Sequence, residues 1–324
     1  VDGETQALLD NLVESLGSAR LLLLVNYRPE YAHRWGSKTY YTQLRLDPLG
    51  AETAEELLNT LLASEASHDA LKKLLISRTE GNPFFLEETV RVLKDTGVLS
   101  GERGAYKLAR DISSIEVPAS VQAILAARID RLPAEDKRLL QTAAVIGKDV
   151  PFTWLSAVSD LTESQLQASL SRLQASEFLY EASLFPNLEY TFNHALTHEV
   201  AYAGLLAERR QAIHGKIVQA IETRYAGRLT EQAEQLAHHA QRANLGRKCV
   251  EYLRAAGEKA LQRSAYRSAI DYLQRALTYF HEQASNGDAM DDEARICIAL
   301  GHALIPIEGA ASEEVANSYS RALD

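Results

Sequence analysis

The sequence predicts a mainly α-helical chain that opens on the edge of an α/β layer and ends in an array of paired helices. Three observations carry this. One short apolar run, Leu21-Leu22-Leu23-Leu24-Val25, has the composition of a buried strand. From Thr53 to about residue 100, and again beyond about residue 195, apolar residues return at helical spacing. Between those regions, helical stripes run into two short β-rich segments around a turn.

The first helix carries Leu8, Leu9, Leu12, Val13 and Leu16 on one stripe, with Asp2 as its expected cap and Gly17 as its end. The Leu21–Val25 strand follows and leads into Asn26-Tyr27-Arg28. Gln43-Leu44-Arg45-Leu46 is a second extended segment, stopped by Pro48. Residues 1–50 are therefore expected to be the C-terminal part of a parallel α/β core. Thr53 and Glu56 form an expected capping box ahead of Leu57, Leu58, Leu61 and Leu62. A second helix carries Leu71, Leu74 and Leu75. A third takes Asn82 as N-cap and Pro83 at its first position, where the missing N–H costs nothing. It buries Leu86, Val90 and Leu93 and closes at Gly97. Residues 51–100 are expected to form a small lid-like bundle.

Residues 101–117 predict a loop or weak hairpin. Val121, Ile124, Leu125 and Leu132 mark one helix, and Leu139, Leu140, Ala143 and Ala144 another. Thr162 and Gln165 cap a third, striped by Leu166, Leu170 and Leu173. Phe178-Leu179-Tyr180 and Leu188–Phe192 then predict two strands around the turn Phe185-Pro186-Asn187. Helices followed by a β-hairpin predict a winged-helix domain over 101–195. Over 196–324 every stripe is helical. Leu229, Ala233, Leu236, Ala237 and Ala240 form one, and Ala256-Gly257, Tyr266, Ala269, Leu273 and Ala276-Leu277 follow the small-residue pattern of a tetratricopeptide repeat. A second copy runs from Leu300-Gly301 to Ala322-Leu323, two residues longer between its Gly and its Ala.

Composition bounds the function. A chain of 324 residues with 46% hydrophobic and 24% charged side chains can build several cores. A net charge of −10 disfavours non-specific nucleic-acid binding, which needs Lys and Arg to neutralise phosphates. Two cysteines make no disulfide framework, and the longest apolar run is far short of the roughly 20 residues of a membrane helix. A cytoplasmic location is expected. The chain begins and stops inside helical patterns, as a piece of a longer protein would.

The order of these modules resembles that of the signal-transduction ATPases with numerous domains (STAND), a branch of the AAA-like P-loop ATPases. In that family a strand ends in a sensor stretch, matched here by Asn26-Tyr27-Arg28, and a helical lid carries a Gly-x-Pro motif, matched by Gly81-Asn82-Pro83. Phe192-Asn193-His194-Ala195-Leu196 through Glu199-Val200-Ala201-Tyr202 is similar to bacterial members, many of them fused to adenylate or guanylate cyclase domains. The resemblance implies an ATP-binding regulator whose repeats sense a protein or small-molecule inducer and control an output domain of the same parent chain. ATP or ADP with Mg²⁺ is its implied cofactor, with no tight binding expected from this chain alone. Arg28 is the implied reporter of a γ-phosphate, Pro83 would pack on adenine, and Gly81 and Asn82 would shape the helix entrance. The alternative is a helical-repeat interaction scaffold with a vestigial ATPase half.

No catalytic residue is assigned. Gly36-Ser37-Lys38-Thr39 fails as a phosphate loop, because Gly must directly precede Lys and Tyr31 stands where the earlier Gly belongs. The chain by itself is therefore expected not to hydrolyse ATP. His194, His198 and Glu199 have the wrong order for a His-Glu-x-x-His metal site, and no metal is expected. His214, His238 and His239 are expected to be helix-face or partly buried histidines. Between Leu161 and Phe192, Glu163, Glu177, Glu181 and Glu189 face a single base, Arg172, so DNA binding by the winged helix is not expected.

Overall fold

Apolar residues at helical spacing become helices almost everywhere they occur in the computed structural model, which describes residues 3–63, 66–109, 118–183, 188–283 and 290–323. The chain is mainly helical and divides into two units, residues 45–207 and residues 1–44 with 208–324. The expected cap at Asp2, the far part of the 101–117 loop and the turn at 185–187 lie outside the described residues.

After helix α1 (Gly3–Ser15), which belongs to the other unit, residues 45–207 begin with three helices: α2 (Ala51–Leu62), α3 (Asp69–Thr79) and α4 (Pro83–Asp95). Leu58, Leu62, Leu71, Leu75, Leu86, Val90 and Leu93 meet in one core, closed by Leu99 and Tyr106 of a small antiparallel hairpin, β1 (Leu99–Ser100) with β2 (Lys107–Leu108). The capping box at Thr53 and Glu56 does not form. The helix starts earlier, at Ala51, because the Ala54 N–H already donates to the Gly50 carbonyl at 2.9 Å, which leaves Thr53 inside the first turn.

Four helices follow, α5 (Val121–Asp130), α6 (Ala134–Ile146), α7 (Phe152–Val158) and α8 (Glu163–Ala175), then α9 (Ala195–Ala203). The Thr162–Gln165 capping box of α8 is present in both directions. Strand β3 (Asp149–Pro151) precedes α7, and β4 (Leu179–Ser183) and β5 (Glu189–Phe192) follow α8. The three strands are antiparallel in the order β3-β5-β4, with Val150 opposite Tyr190 and Tyr180 opposite Thr191. Asp136 is fully buried on α6 and takes two bonds from Arg172 of α8, at 2.8 and 2.7 Å. The guanidinium holds that carboxyl below the usual carboxylate range. The one base between Leu161 and Phe192 is thus committed to an internal ion pair.

In the other unit α1 (Gly3–Ser15) is a helix, yet of its predicted stripe only Val13 is buried, and Gly17 lies in a 3₁₀ turn beyond its end. The expected strand at Leu21–Val25 is absent. Leu22 and Leu24 are 89% and 85% exposed, and no described segment runs beside them to share a ladder. The segment at 43–46 forms no strand either, with Leu44 and Leu46 exposed. Aromatic residues instead hold the following stretch to α1. Trp35 Nε1 donates to Asp10 Oδ1 at 2.7 Å, and the Tyr40 hydroxyl donates to the Val13 carbonyl at 2.9 Å.

Six further helices complete this unit: α10 (Ala207–Arg224), α11 (Ala233–Arg242), α12 (Gly246–Gln262), α13 (Tyr266–Gln283), α14 (Met290–Glu308) and α15 (Glu313–Leu323). Successive helices pack as neighbours from α11 onward. Two of the connections are the same left-handed turn. The Leu245 N–H donates to the Ala240 carbonyl with Asn244 at φ +53°, and the Ala265 N–H to the Ala260 carbonyl with Ser264 at φ +58°. Small residues sit at the crossings as the repeat pattern predicts. A Cβ on Gly257 would stand 2.6 Å from Leu273 Cγ, and one on Gly301 would stand 2.7 Å from Tyr319 Cζ. Ala269 and Ala276 are fully buried. Replacing Ala269 with Leu should therefore overpack the α12–α13 crossing and lower unfolding free energy in urea by about 1–3 kcal/mol. An unchanged midpoint would mean the crossing has room that this packing denies it. Both cysteines, Cys249 and Cys297, are buried free thiols, and burial pushes Cys249 up to about 11. No helix among the described residues is long and apolar enough to cross a membrane.

Candidate functional site

The site is built at the entrance of α4. Gly81 has φ +74°, and a Cβ there would stand 2.1 Å from the Leu49 carbonyl oxygen. The Leu49 N–H in turn donates to the Gly81 carbonyl at 2.9 Å. Only glycine tolerates both the left-handed backbone and the approach. Asn82 then caps the helix, its Oδ1 accepting from the Phe85 N–H at 3.0 Å, and Pro83 occupies the first helical position. The next two side chains diverge. Phe85 turns inward and packs with Val92 and Ile124, whereas Phe84 remains half-buried and meets the ring of His194, centroids 3.9 Å apart and tilted by 36°.

His194 is placed by the opposite side of this unit. It is the residue before α9, with φ −136° and ψ 141°, and its carbonyl accepts from the Thr197 N–H at 3.0 Å. The strand before it is anchored where the Asn193 N–H donates to the Phe178 carbonyl at 3.1 Å. His198, one helical turn on, has Nε2 2.9 Å from the Ala144 carbonyl and its ring edge-on to Phe192. The two histidines that share a motif in the sequence therefore do different work, one on Phe84 and one inside the helix–sheet module. Among the described residues no group of three or more His, Cys, Asp or Glu could hold a metal ion.

Asn82, Pro83 and His194 are exposed around Phe84, so they form an open platform of flat apolar and imidazole surface beside a helix N-terminus. Such a platform can stack a heterocycle and offer an imidazole N–H to an anion. Gly81, Asn82 and Pro83 are brought together here as the sequence predicts. Arg28 belongs to the other unit, exposed in a turn where its carbonyl accepts from the Tyr31 N–H at 3.0 Å. In the sequence His194 stands out for its spacing from His198 and as part of the Phe192–Tyr202 segment, neither of which points to Phe84. Its place beside the Gly-x-Pro entrance depends on a contact across 110 positions, for which no local pattern exists.

A second cluster lies farther along α4. Glu88 is buried and accepts from Arg91 Nη1 at 2.9 Å and from the buried Arg128 of α5. Arg128 Nη2 also donates to the Ser176 carbonyl at 2.8 Å, and its guanidinium lies 4.6 Å from the centre of the Phe178 ring. Arg91 Nη2 reaches Glu177. A cavity of about 310 Å³ opens beside this network, lined in part by Glu87, Arg91, Lys94, Asp95, Arg103 and Glu177.

No family model matches the chain. It is 27% identical over 330 residues to an uncharacterized protein of Rhizobium meliloti (strain 1021), a match that covers 100% of this chain and 31% of that protein. The chain thus spans about a third of the length of the curated relative it matches. It is also similar to the crystal structure of a signal transduction ATPase with numerous domains (STAND) protein with a tetratricopeptide repeat sensor from Pyrococcus horikoshii. That likeness covers 86% of this chain and 41% of the other, at 12% identity and a TM-score of 0.36.

Proposed function

We propose that the chain is the sensor and arm part of an ATP-binding signal transducer of the STAND type, acting in the cytoplasm. In this reading the platform of Pro83, Phe84 and His194 contacts an adenine nucleotide, Gly81 and Asn82 fix its shape, and Arg28 reports the γ-phosphate. ATP or ADP with Mg²⁺ is held by the parent protein as a whole. The module α6-β3-α7-α8-β4-β5 with α9 serves as a structural winged helix, a reading its strand order β3-β5-β4 supports. The helical pairs from α10 to α15 are tetratricopeptide-like repeats that take up a protein or small-molecule inducer. Nucleotide exchange or inducer binding shifts an equilibrium that frees an output domain such as a nucleotide cyclase.

The observation that carries this reading is the stacking of Phe84, next to Pro83 of the Gly-x-Pro entrance, on His194 at the start of α9. One side chain from the lid-like bundle and one from the helix–sheet module thereby share a single exposed surface. In the parent protein, Pro83→Ala and His194→Ala should each weaken ADP binding about tenfold in an equilibrium titration, the loss of one stacking or charge-assisted contact. Unchanged affinity in both would remove the nucleotide from this site. A second reading, a repeat scaffold whose ATPase half is vestigial, draws on the continuous packing from α11 to α15. The same titration separates the two, since a scaffold needs no nucleotide.

A further inference from the structure

We infer that Arg91 is the movable arm of an ion-pair switch that couples helix α4 to the α8–β4 turn. Its present position spans two parts of the unit. Nη1 bonds Glu88 on its own helix at 2.9 Å, and Nη2 bonds Glu177, 86 positions away. Glu177 is the residue that closes α8, where the Phe178 N–H donates to the Leu173 carbonyl at 2.9 Å, and it sits at φ +57°. A left-handed glutamate is strained relative to glycine, so this turn stores conformational energy that the pair with Arg91 helps to hold.

Two other carboxylates flank the arm on its own helix. Glu87 and Asp95 stand four residues before and after Arg91, the spacing at which carboxylates meet a cation on one helix face. Both line the same cavity as Arg91 and Glu177, so the arm has open space to cross. Neither carboxylate is firmly engaged among the described residues. Glu87 has only a 3.8 Å approach to Arg103, and Asp95 makes no ion pair among the described residues. Swinging Nη2 from Glu177 to Glu87 or Asp95 exchanges one charge pair for another of similar exposure, at little net cost. The buried pair of Glu88 with Arg128 keeps α4 and α5 together in both positions. What changes is whether the α8–β4 turn is tied to α4. Because α4 begins at the Gly81–Phe84 entrance, a ligand that moves that entrance acts on the arm through a rigid helix. The switch itself does not depend on what that ligand is.

Hydrogen exchange of the Phe178 amide in the intact chain tests this, because that amide closes the turn. Arg91→Gln and Glu177→Gln should each speed its exchange about five- to tenfold, and the double variant should be no faster than either single one. Removing the second position should do the reverse. A chain carrying both Glu87→Gln and Asp95→Asn should exchange Phe178 about threefold more slowly, with the overall unfolding midpoint unchanged. A static ion pair would show the first pair of effects without the last. Unchanged exchange in the Glu87/Asp95 variant therefore overturns the switch, and additive effects of Arg91→Gln and Glu177→Gln overturn the pairing on which it rests.

Discussion

Replacing Glu88 with alanine should lower the unfolding free energy of the chain by about 3–5 kcal/mol, the usual cost of stranding one partner of a buried ion pair. The side chains of Glu88 and Arg128 are 4% and 5% exposed, so water cannot take over from the lost carboxylate. Arg128 would keep the Ser176 carbonyl at 2.8 Å and the Phe178 ring, which places the loss toward the lower end of that range. Removing both charges together, with Glu88→Leu and Arg128→Met, should recover most of it, since no unpaired charge remains. Urea unfolding of the single and the double variant checks this. Equal losses in the single and the double variant would show that packing volume, not charge, is what the site needs.

The second large effect is acid sensitivity of the repeat region. His214 on α10 and His239 on α11 are buried with their Nδ1 atoms 2.8 Å apart, so one ring donates and the other accepts. Burial, reinforced by the neighbouring histidines and Arg242, lowers both from 6.5 to about 3. Between those values the unfolded chain binds protons that the folded chain refuses. Stability therefore falls as pH drops below 6.5, levels off below about 3, and is untouched above 6.5. At pH 4 the first imidazole alone should cost about 3 kcal/mol. The difference in unfolding free energy between the parent chain and a His214→Leu/His239→Leu variant should shift by at least that amount between pH 7 and pH 4, because both groups resist protonation in the fold. A difference that does not change with pH would mean the pair is protonated in the fold.

The legible parts of this fold are those whose signals are local. The cap at Asn82, the proline after it and the Thr162–Gln165 box act within one helical turn, the small residues at Gly257, Ala269 and Ala276 act between successive helices, and each stands where the sequence places it. The Leu21–Val25 run fails for the opposite reason. A strand exists only through its neighbours, and five apolar residues without a partner edge remain exposed backbone. Strand β3 and helix α7 are missed because three and seven residues are too short to show a period, and β3 owes its existence to Tyr190 some forty positions later. In the candidate site the helix entrance is readable from Gly81-Asn82-Pro83 alone. The partner that gives it a surface, His194, and the charges Glu88, Arg91 and Arg128 behind it are joined only by the tertiary fold.

The most direct test of the nucleotide assignment is photo-crosslinking of the parent protein with an 8-azidoadenine nucleotide, followed by peptide mapping. Label is expected on the peptide containing Pro83 and Phe84, competed by ADP and lost in Pro83→Ala. Specific, ADP-competed label that falls elsewhere and leaves this peptide unmodified would contradict it.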